Sequence, residues 1–282
     1  MKLIFSSITY GPIEPAAVVS QRAAIMHAAA HGVKWVGDAS PDKQTFTVAR
    51  GQVAAAACAS DAEAVFWCDS DITLPVDAIS RLASTKLDFV TGIYFQKVGE
   101  HWPLIANFAE DHYNWMVCWP ENVIAPIDGC GFGCVLTSTK MLREMRDKYE
   151  LAPGASQMIC DQCEAREPHP ECTKRPMTDN ELKEKANPWF AYSKFSEDFE
   201  FCQRAKKAGY QLYVDTAVLC GHLPPPPAIG FAQFKAKHPE FFGGNGNGNI
   251  ASKQVSQAGV RGGVEGPGVP DLSETALELR QV

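Results

Sequence analysis

The chain has 282 residues, of which 45% are apolar and 21% charged, and its formal net charge is −7. That length supports a large core in one or two domains, and the composition is that of an ordinary globular protein. An acidic surface repels phosphate backbones, which argues against a general nucleic-acid coat, and no stretch approaches the ~18 to 20 apolar residues that span a bilayer.

The chain opens with "KLIFSSITY", a buried-strand pattern ending in a Tyr-Gly-Pro turn. No h-region or small-residue cleavage site follows it, so a first strand is expected and not a signal peptide, and a cytoplasmic location with it. "EPAAVVSQRAAIMHAAAHG" has helical composition and stops at Gly32, a C-cap residue type. "VKWVGDAS" reads as a second strand, "FTVARGQVAAAACAS" as a second helix and "AEAVFWC" as a third strand. "VDAISRLAST" is helical and "LDFVTGIYF" is another strand. This alternation predicts an α/β fold with a parallel-type sheet covered by helices.

Residues 96–126 hold Trp102, Trp115 and Trp119 without a helical period and are read as hairpins. "GCGFGCVLTSTKMLREMRDKYE" predicts a glycine-rich turn, a strand and a charged helix. Residues 151–188, polar and rich in Pro and Cys, read as an insertion into a domain spanning 1–241. "SEDFEFCQRAKKAGY" is an amphipathic helix ending at Gly209, and "QLYVDTAVLCGHL" a last strand ending at His222. Residues 242–282 have the composition of a flexible glycine-rich linker, with a short terminal helix capped by Asp271 or Ser273. Cys58, Cys68, Cys134, Cys202 and Cys220 lie in apolar segments and are expected to be reduced core residues.

The chemistry concentrates in "VFWCDSDITLP", residues 65–75, where an apolar strand delivers Asp69 and Asp71 to its own end. In parallel-type sheets ligands collect at carboxyl ends of strands. Two carboxylates this close repel each other, and unless one takes a proton they call for a cation. Oxygen ligands suit Mg²⁺ or Mn²⁺, which keep waters and share a substrate phosphate. Three readings stay open on these letters. The acids could cap the following helix. They could be the Asp-x-Asp-x-Thr nucleophile signature of a haloacid-dehalogenase-like phosphohydrolase, with Asp69 attacking phosphorus, Asp71 as acid and base, and Thr73 in register. That signature normally sits on a first strand and expects a later acidic pair, for which "YVDTAVLCGH" supplies only Asp215.

The third reading is a resemblance. "VFWCDSDITLP" is similar to the Asp-x-Asp signature of GT-A fold nucleotide-sugar glycosyltransferases. Four more segments resemble that family in the expected order: "ITYGP" the nucleotide-receiving loop, "ARGQVAAAACASDAEAVFWCDSD" the Arg-bearing helix before the acidic strand, "IDGCGFGCVLTSTKML" the glycine-rich approach to the acceptor, and "PWFAYSKFSEDFEFCQRAKKAGYQLYVDTAVLCGHL" the Trp, Glu-Asp helix start and terminal-histidine strand. The resemblance spans about residues 1–240 and is greatest to phage-encoded and bacterial members; if phage-encoded, the chain would work in a host cytoplasm. It implies a Rossmann-like, mixed and mainly parallel form of the helix-flanked sheet.

The resemblance implies a donor that is a nucleotide-diphosphate sugar, a UDP-sugar favoured, and a divalent cation, Mn²⁺ before Mg²⁺. Asp71 would bind the cation directly, Asp69 the ribose or the cation through water, and His222 would complete the metal shell. Asp198 would be the base removing the acceptor proton, with Glu197 orienting acceptor or donor, in an inverting reaction; in retaining members the same acids position substrate. Alone, those two acids also suit a helix first turn capped by Ser196. Thr9, Tyr10 and Asp38 are candidates for base and ribose, and Arg50 for a phosphate or a brace of the acidic loop. Asp128, Gly129, Gly131 and Trp189 are candidates on the sugar and acceptor side, the glycines letting backbone approach the sugar and Trp189 offering a ring face or joining the core. The acceptor would be a glycan, a protein, a lipid-linked saccharide or modified DNA. A sugar-nucleotide-binding module without turnover, and a nucleotidyltransferase that releases pyrophosphate, are the remaining alternatives.

Cys160, Cys163, His169 and Cys172 form C-x₂-C-x₅-H-x₂-C, a soft ligand set suited to tetrahedral Zn²⁺. A metal staple would order a polar insertion that cannot build its own core; a Cys160–Cys163 disulfide or free thiols are the alternatives. If zinc is held, Cys160→Ser lowers the zinc retained by the purified protein; unchanged zinc content rules the site out.

Overall fold

The computed structural model describes residues 1–9, 14–39, 41, 44–97, 99–149, 158–160, 174–176, 187–191, 195–223, 230–242 and 254–256. Tyr10, Cys163, His169, Cys172 and the expected terminal helix lie outside them.

The first half alternates as its sequence predicts. Strand β1 (Lys2–Ile8) leads to helix α1 (Pro15–Ala30), β2 (Lys34–Asp38), α2 (Phe46–Ala59) and β3 (Ala64–Asp69). Pro15 opens α1 where a missing N–H costs nothing, and Gly32, at φ +88, turns the chain out of it. A two-residue β4 (Ile72–Thr73) precedes α3 (Ala78–Ser84) and β5 (Phe89–Ile93). The hairpin expected around residues 96–126 is β6 (Ile105–Ala109) with β7 (His112–Met116). Then come β8 (Ile124–Ile127), β9 (Gly129–Cys130), β10 (Cys134–Ser138) and α4 (Thr139–Tyr149). Short strands β11 (Met158–Cys160) and β12 (Lys174–Pro176) pair with each other. Helix α5 (Glu197–Lys207) leads to β13 (Leu212–Leu219), β14 (Gly221–His222) and α6 (Phe231–Lys237). Within the stretch read as linker, Gln254–Ser256 forms β15, paired with β7.

Seven described strands make the main sheet in the order β2-β1-β3-β10-β5-β13-β8. Strands β1, β2, β3, β5 and β13 run one way; β8 and β10 run the other. This is an α/β, Rossmann-like architecture. Period-two alternation sends Leu3, Phe5 and Phe66 to one face, where they pack with Ala24 and Ala28 of α1 and Ile79 and Leu82 of α3. Ile4, Val65 and Trp67 face the other layer, with α2, α4, α5 and the small β6–β7 sheet. Both faces are therefore covered, which is why these strands read as continuous apolar runs. Cys58, Cys68, Cys134, Cys202 and Cys220 are buried as expected. None of the described helices is long and apolar enough to cross a membrane.

One expectation needs correction. The strand expected to end at His222 stops at Leu219, and the histidine sits on the separate β14, antiparallel to β4. Ser196 does stand at the N-cap of α5, but its side chain makes no capping bond.

Asn187 fixes the return of the chain from the Cys-rich segment. Its buried side chain donates to Thr47 O (2.9 Å) and accepts from the amides of Trp189 and Phe190 (2.9 Å each). A Cβ on Gly51 of α2 would overlap that amide. Gly51→Ala is therefore expected to cost about 1–3 kcal/mol through overpacking, although alanine is the better helix former by about 1 kcal/mol. Urea denaturation measures the sign; a stabilised variant would show that Asn187 yields freely.

Candidate active site

The carboxyl ends of the parallel strands form one edge. Ile8 of β1 stands in register with Asp69 of β3, and Phe5 with Asp38 of β2. Thr9, Asp38 and Asp69 thus share this edge, Asp38 exposed and Thr9 half-buried.

The turn carrying the two aspartates is held by backbone and by a glutamine. Gln21 of α1, buried, donates its amide to Asp69 O (3.0 Å) and Ile72 O (2.9 Å). The Asp69 N–H donates to Gly133 O (3.3 Å), and the Leu223 N–H donates to Asp71 O (2.8 Å). Pairing of β4 with β14 sets His222 opposite Ile72, and Gly221 passes so close to Thr73 that a Cβ would overlap its hydroxyl. Helix α3 starts only at Ala78, behind Asp77, so neither Asp69 nor Asp71 caps it.

These constraints bring Asp71 and His222 together. His222 Nε2 lies 3.5 Å from Asp71 Oδ1, and its Nδ1 lies 2.6 Å from Phe95 O. A carbonyl only accepts, so Nδ1 carries a proton and Nε2 is the nitrogen aimed at the carboxylate. In the neutral ring that nitrogen keeps its lone pair. Tyr94 packs edge-on against the imidazole, with centroids 5.4 Å apart. The other Asp71 oxygen, Oδ2, accepts from the Lys97 ammonium. Burial alone would raise the Asp71 carboxyl, but His222 and Lys97 outweigh it and hold the group below the usual carboxylate range.

The second half of the site is a buried charge cluster. The Arg50 side chain, 3% exposed, donates from Nη2 to Asp69 Oδ1 (3.0 Å) and from Nη1 to Glu197 Oε1 (3.0 Å) and to Asp198. Its guanidinium lies against the rings of Phe46, Phe132 and Phe190 at 5.1, 5.4 and 5.9 Å. Burial disfavours its charge, but the three carboxylates outweigh that and raise its pKa further. Asp198 also accepts the Phe132 N–H (3.2 Å). Its carboxyl is pushed up to about 8, first by burial and then by Glu197 and Asp69, against the pull of Arg50. Arg50 therefore braces the acidic loop and the α5 start, and the donor-phosphate role that its sequence position left open does not fit its enclosure.

Several sequence candidates sit elsewhere. Asp128 pairs with Lys206, at the far end of α5 from Asp198, and accepts the Phe108 N–H (2.7 Å). Trp189 is buried, with its indole N–H donated to Leu142 O (2.7 Å), so it is a core residue. The glycines leave room for rings of the protein: a Cβ on Gly129 would meet Tyr113 and Phe199, and one on Gly131 or Gly133 would meet Tyr94. Of the zinc candidates only the backbone of Cys160 is described, opposite Lys174. Among the described residues no three His, Cys, Asp or Glu side chains converge as a metal cluster. Asp71 and His222 offer two donors of different type, a carboxylate oxygen and an imidazole nitrogen. That set fits a cation such as Mn²⁺ that completes its shell with water and substrate oxygen.

Neither a family model nor a curated protein sequence matches the chain. Solved structures similar to it include A197 from STIV, at TM-score 0.48 and 12% identity, over 83% of this chain and 92% of that one. GalNAc-T7, solved with UDP, GalNAc and Mn²⁺, is similar at TM-score 0.40 and 10% identity, over 79% of this chain and 44% of that one. A glycosyltransferase involved in glycosylation of the major capsid of PBCV-1 is similar at TM-score 0.29 and 14% identity, over 54% and 68%.

Gln21, Tyr94 and Lys97 complete the geometry and carry no motif, and Phe132 lies in the glycine-rich segment without standing out there. Gln21 is one polar residue in an alanine-rich helix, and Lys97 one lysine after a strand. Their parts depend on contacts distant in sequence.

Arg50 is the residue whose loss tests the cluster. Arg50→Met leaves three acids without their cation, and breaking such a buried arrangement costs about 3–5 kcal/mol. The deficit should shrink as pH falls, because the uncompensated carboxylates then take up protons. Urea unfolding at neutral and acidic pH measures this; a variant as stable as wild type at neutral pH would refute the brace.

Proposed function

We propose that the chain is a metal-dependent glycosyltransferase that moves a sugar from a nucleotide-diphosphate sugar to an acceptor hydroxyl. The observation that carries this reading is the 3.5 Å approach of His222 Nε2 to Asp71 Oδ1 at the carboxyl edge of a Rossmann-like sheet. Asp71 and His222 would hold the cation, and a divalent ion bound there supplies Lewis-acid stabilisation of the departing diphosphate.

The remaining work falls to the chain itself. Thr9 and Asp38, at the ends of β1 and β2, would meet the nucleoside, with Tyr10, the next residue in sequence after Thr9, as a further candidate. Asp69 stays beside that edge because Arg50 holds one of its oxygens. Asp198 is the proposed base. A carboxyl with an ordinary pKa is a feeble base at neutral pH, whereas one pushed up to about 8 is matched to removing a hydroxyl proton. Glu197 shares Nη1 of Arg50 with Asp198 and so fixes where that carboxyl points. A base placed to activate the acceptor corresponds to inversion. The sugar donor favoured is a UDP-sugar, and the acceptor a glycan, a protein or modified DNA.

The phosphohydrolase alternative is weaker because Asp215, the acid that the last apolar strand supplies for it, is committed elsewhere. Asp215 is buried, accepts from Arg81 (3.2 and 3.3 Å) and takes the Ala217 N–H (3.0 Å).

In a thermal-shift series, a nucleoside diphosphate should stabilise the protein only when Mn²⁺ is present. The shift should vanish in Asp71→Ala; an equal shift in that variant refutes the ligand assignment. Release of pyrophosphate from a nucleoside triphosphate, in place of nucleoside diphosphate from a sugar donor, would reassign the reaction.

The proposed base gives a separate expectation. Below its pKa Asp198 is protonated and cannot accept, so kcat/KM, which reports the groups of the free enzyme, should rise with pH toward a plateau above about 8. Asp198→Asn should lose about 10²–10⁴ in turnover, the usual worth of a general base, while keeping the Mn²⁺-dependent nucleotide shift. A pH-independent rate, or full turnover in the variant, removes Asp198 from the reaction.

A further inference from the structure

Lys97 has no place in the reading above, yet its ammonium pairs with the Asp71 carboxylate. It follows β5, where the Gln96 N–H donates to Trp102 O (2.9 Å) and Phe95 bridges Pro103. The adjoining turn is held further by His238, whose Nε2 lies 2.6 Å from Glu100 O. The same strand end supplies the Phe95 carbonyl that orients His222. The Asp71 carboxylate therefore stands between two groups spaced by one piece of backbone, imidazole on Oδ1 and ammonium on Oδ2.

We propose that Lys97 is a built-in counter-cation that holds Asp71 until metal and diphosphate arrive together, and then transfers to the diphosphate. This deepens the reading of Asp71 and His222 as cation ligands and rests on it. A dication between those ligands meets a like charge already seated on the same carboxylate. The repulsion is relieved when an anionic diphosphate arrives beside it, because the ammonium gains a new partner. Lys97 is able to make that move: its side chain is 36% exposed, against 25% for Asp71, and a lysine ammonium rides on a flexible four-carbon stem. Metal and nucleotide binding are thereby coupled, and such coupling is reciprocal. A site built this way takes up little bare metal and favours the metal–diphosphate pair.

The test reads binding and not turnover. Mn²⁺ alone is titrated against wild type, Lys97→Met, Lys97→Arg and Asp71→Asn, following free Mn²⁺ by electron paramagnetic resonance. Lys97→Met should bind bare Mn²⁺ about 10-fold more tightly than wild type, within the usual range of coupling between two ligands. Lys97→Arg, which keeps the charge, should stay near wild type. At saturating Mn²⁺, pyrophosphate should bind Lys97→Met about 10-fold more weakly than wild type, because the charge-assisted contact with the ammonium is lost. If Lys97→Met binds bare Mn²⁺ no more tightly than wild type while Asp71→Asn loses it, this proposal fails and the metal site stands. If no form binds Mn²⁺, or Asp71→Asn binds it as wild type does, the metal-ligand reading itself fails.

Discussion

A guanidinium enclosed as Arg50 is must be answered by negative charge, because taking it out of water costs several kcal/mol that only close, well-aligned carboxylates return. The fold answers with three. Asp69 arrives on the end of β3, and Glu197 and Asp198 on the first turn of α5. Phe46, Phe132 and Phe190 close over the guanidinium with their ring faces, adding cation–π attraction and excluding water. One helix residue thus ties together the central strand and a helix far along the chain. The positions of all three acids follow from that tie.

Asp71 is positioned by other means. Backbone does most of it: β4 pairs with β14, and the Leu223 amide donates to Asp71 O. The two halves meet in the turn between Asp69 and Ile72, whose carbonyls Gln21 binds from α1. A twist in this short turn would move the Arg50 cluster and the Asp71–His222 pair together. Tyr94 lies at the same junction. Its hydroxyl accepts the Gly133 N–H, its ring packs on His222, and burial beside Asp69 and Asp198 keeps the phenol protonated. The glycine-rich segment is best understood from here: Gly131 and Gly133 lack side chains because that ring occupies their space.

Local signals were legible in the sequence. Period-two apolar runs, Pro15 at a helix start, and Gly32 and Gly209 at positive φ after helix ends mark most of the first-half elements and α5. The acid pairs and His222 stood out because charged groups next to buried runs need a reason. What stayed hidden was pairing. Nothing in the letters says that Arg50 faces inward, that Trp189 spends its indole on Leu142 O, or that Asp128 answers Lys206. The break between β13 and β14 was also hidden, since "VLCGH" reads as unbroken strand until β4 is known to compete for its end. These are contacts between residues distant in sequence, and local periodicity carries no information about them.

The Arg50 cluster also sets the proton inventory of the site. One guanidinium against three carboxylates leaves an excess of negative charge in a place water barely reaches. Holding all three ionised is costly, so one proton is retained most easily within the cluster. Asp198 is where it rests: although Arg50 and the Phe132 amide favour its charged form, burial and its two acidic neighbours prevail, to about 8. Glu197 and Asp69 thereby act on Asp198 by charge as well as by geometry. Positive charge gathered nearby shifts this balance toward the carboxylate. Asp71 lies two residues beyond Asp69 on the same turn, so a dication arriving there would favour release of the Asp198 proton. On that view the base is readied by the event that loads the donor. The buried arginine, by gathering three acids beside the turn that carries Asp71, is what makes the two halves of the edge behave as one site.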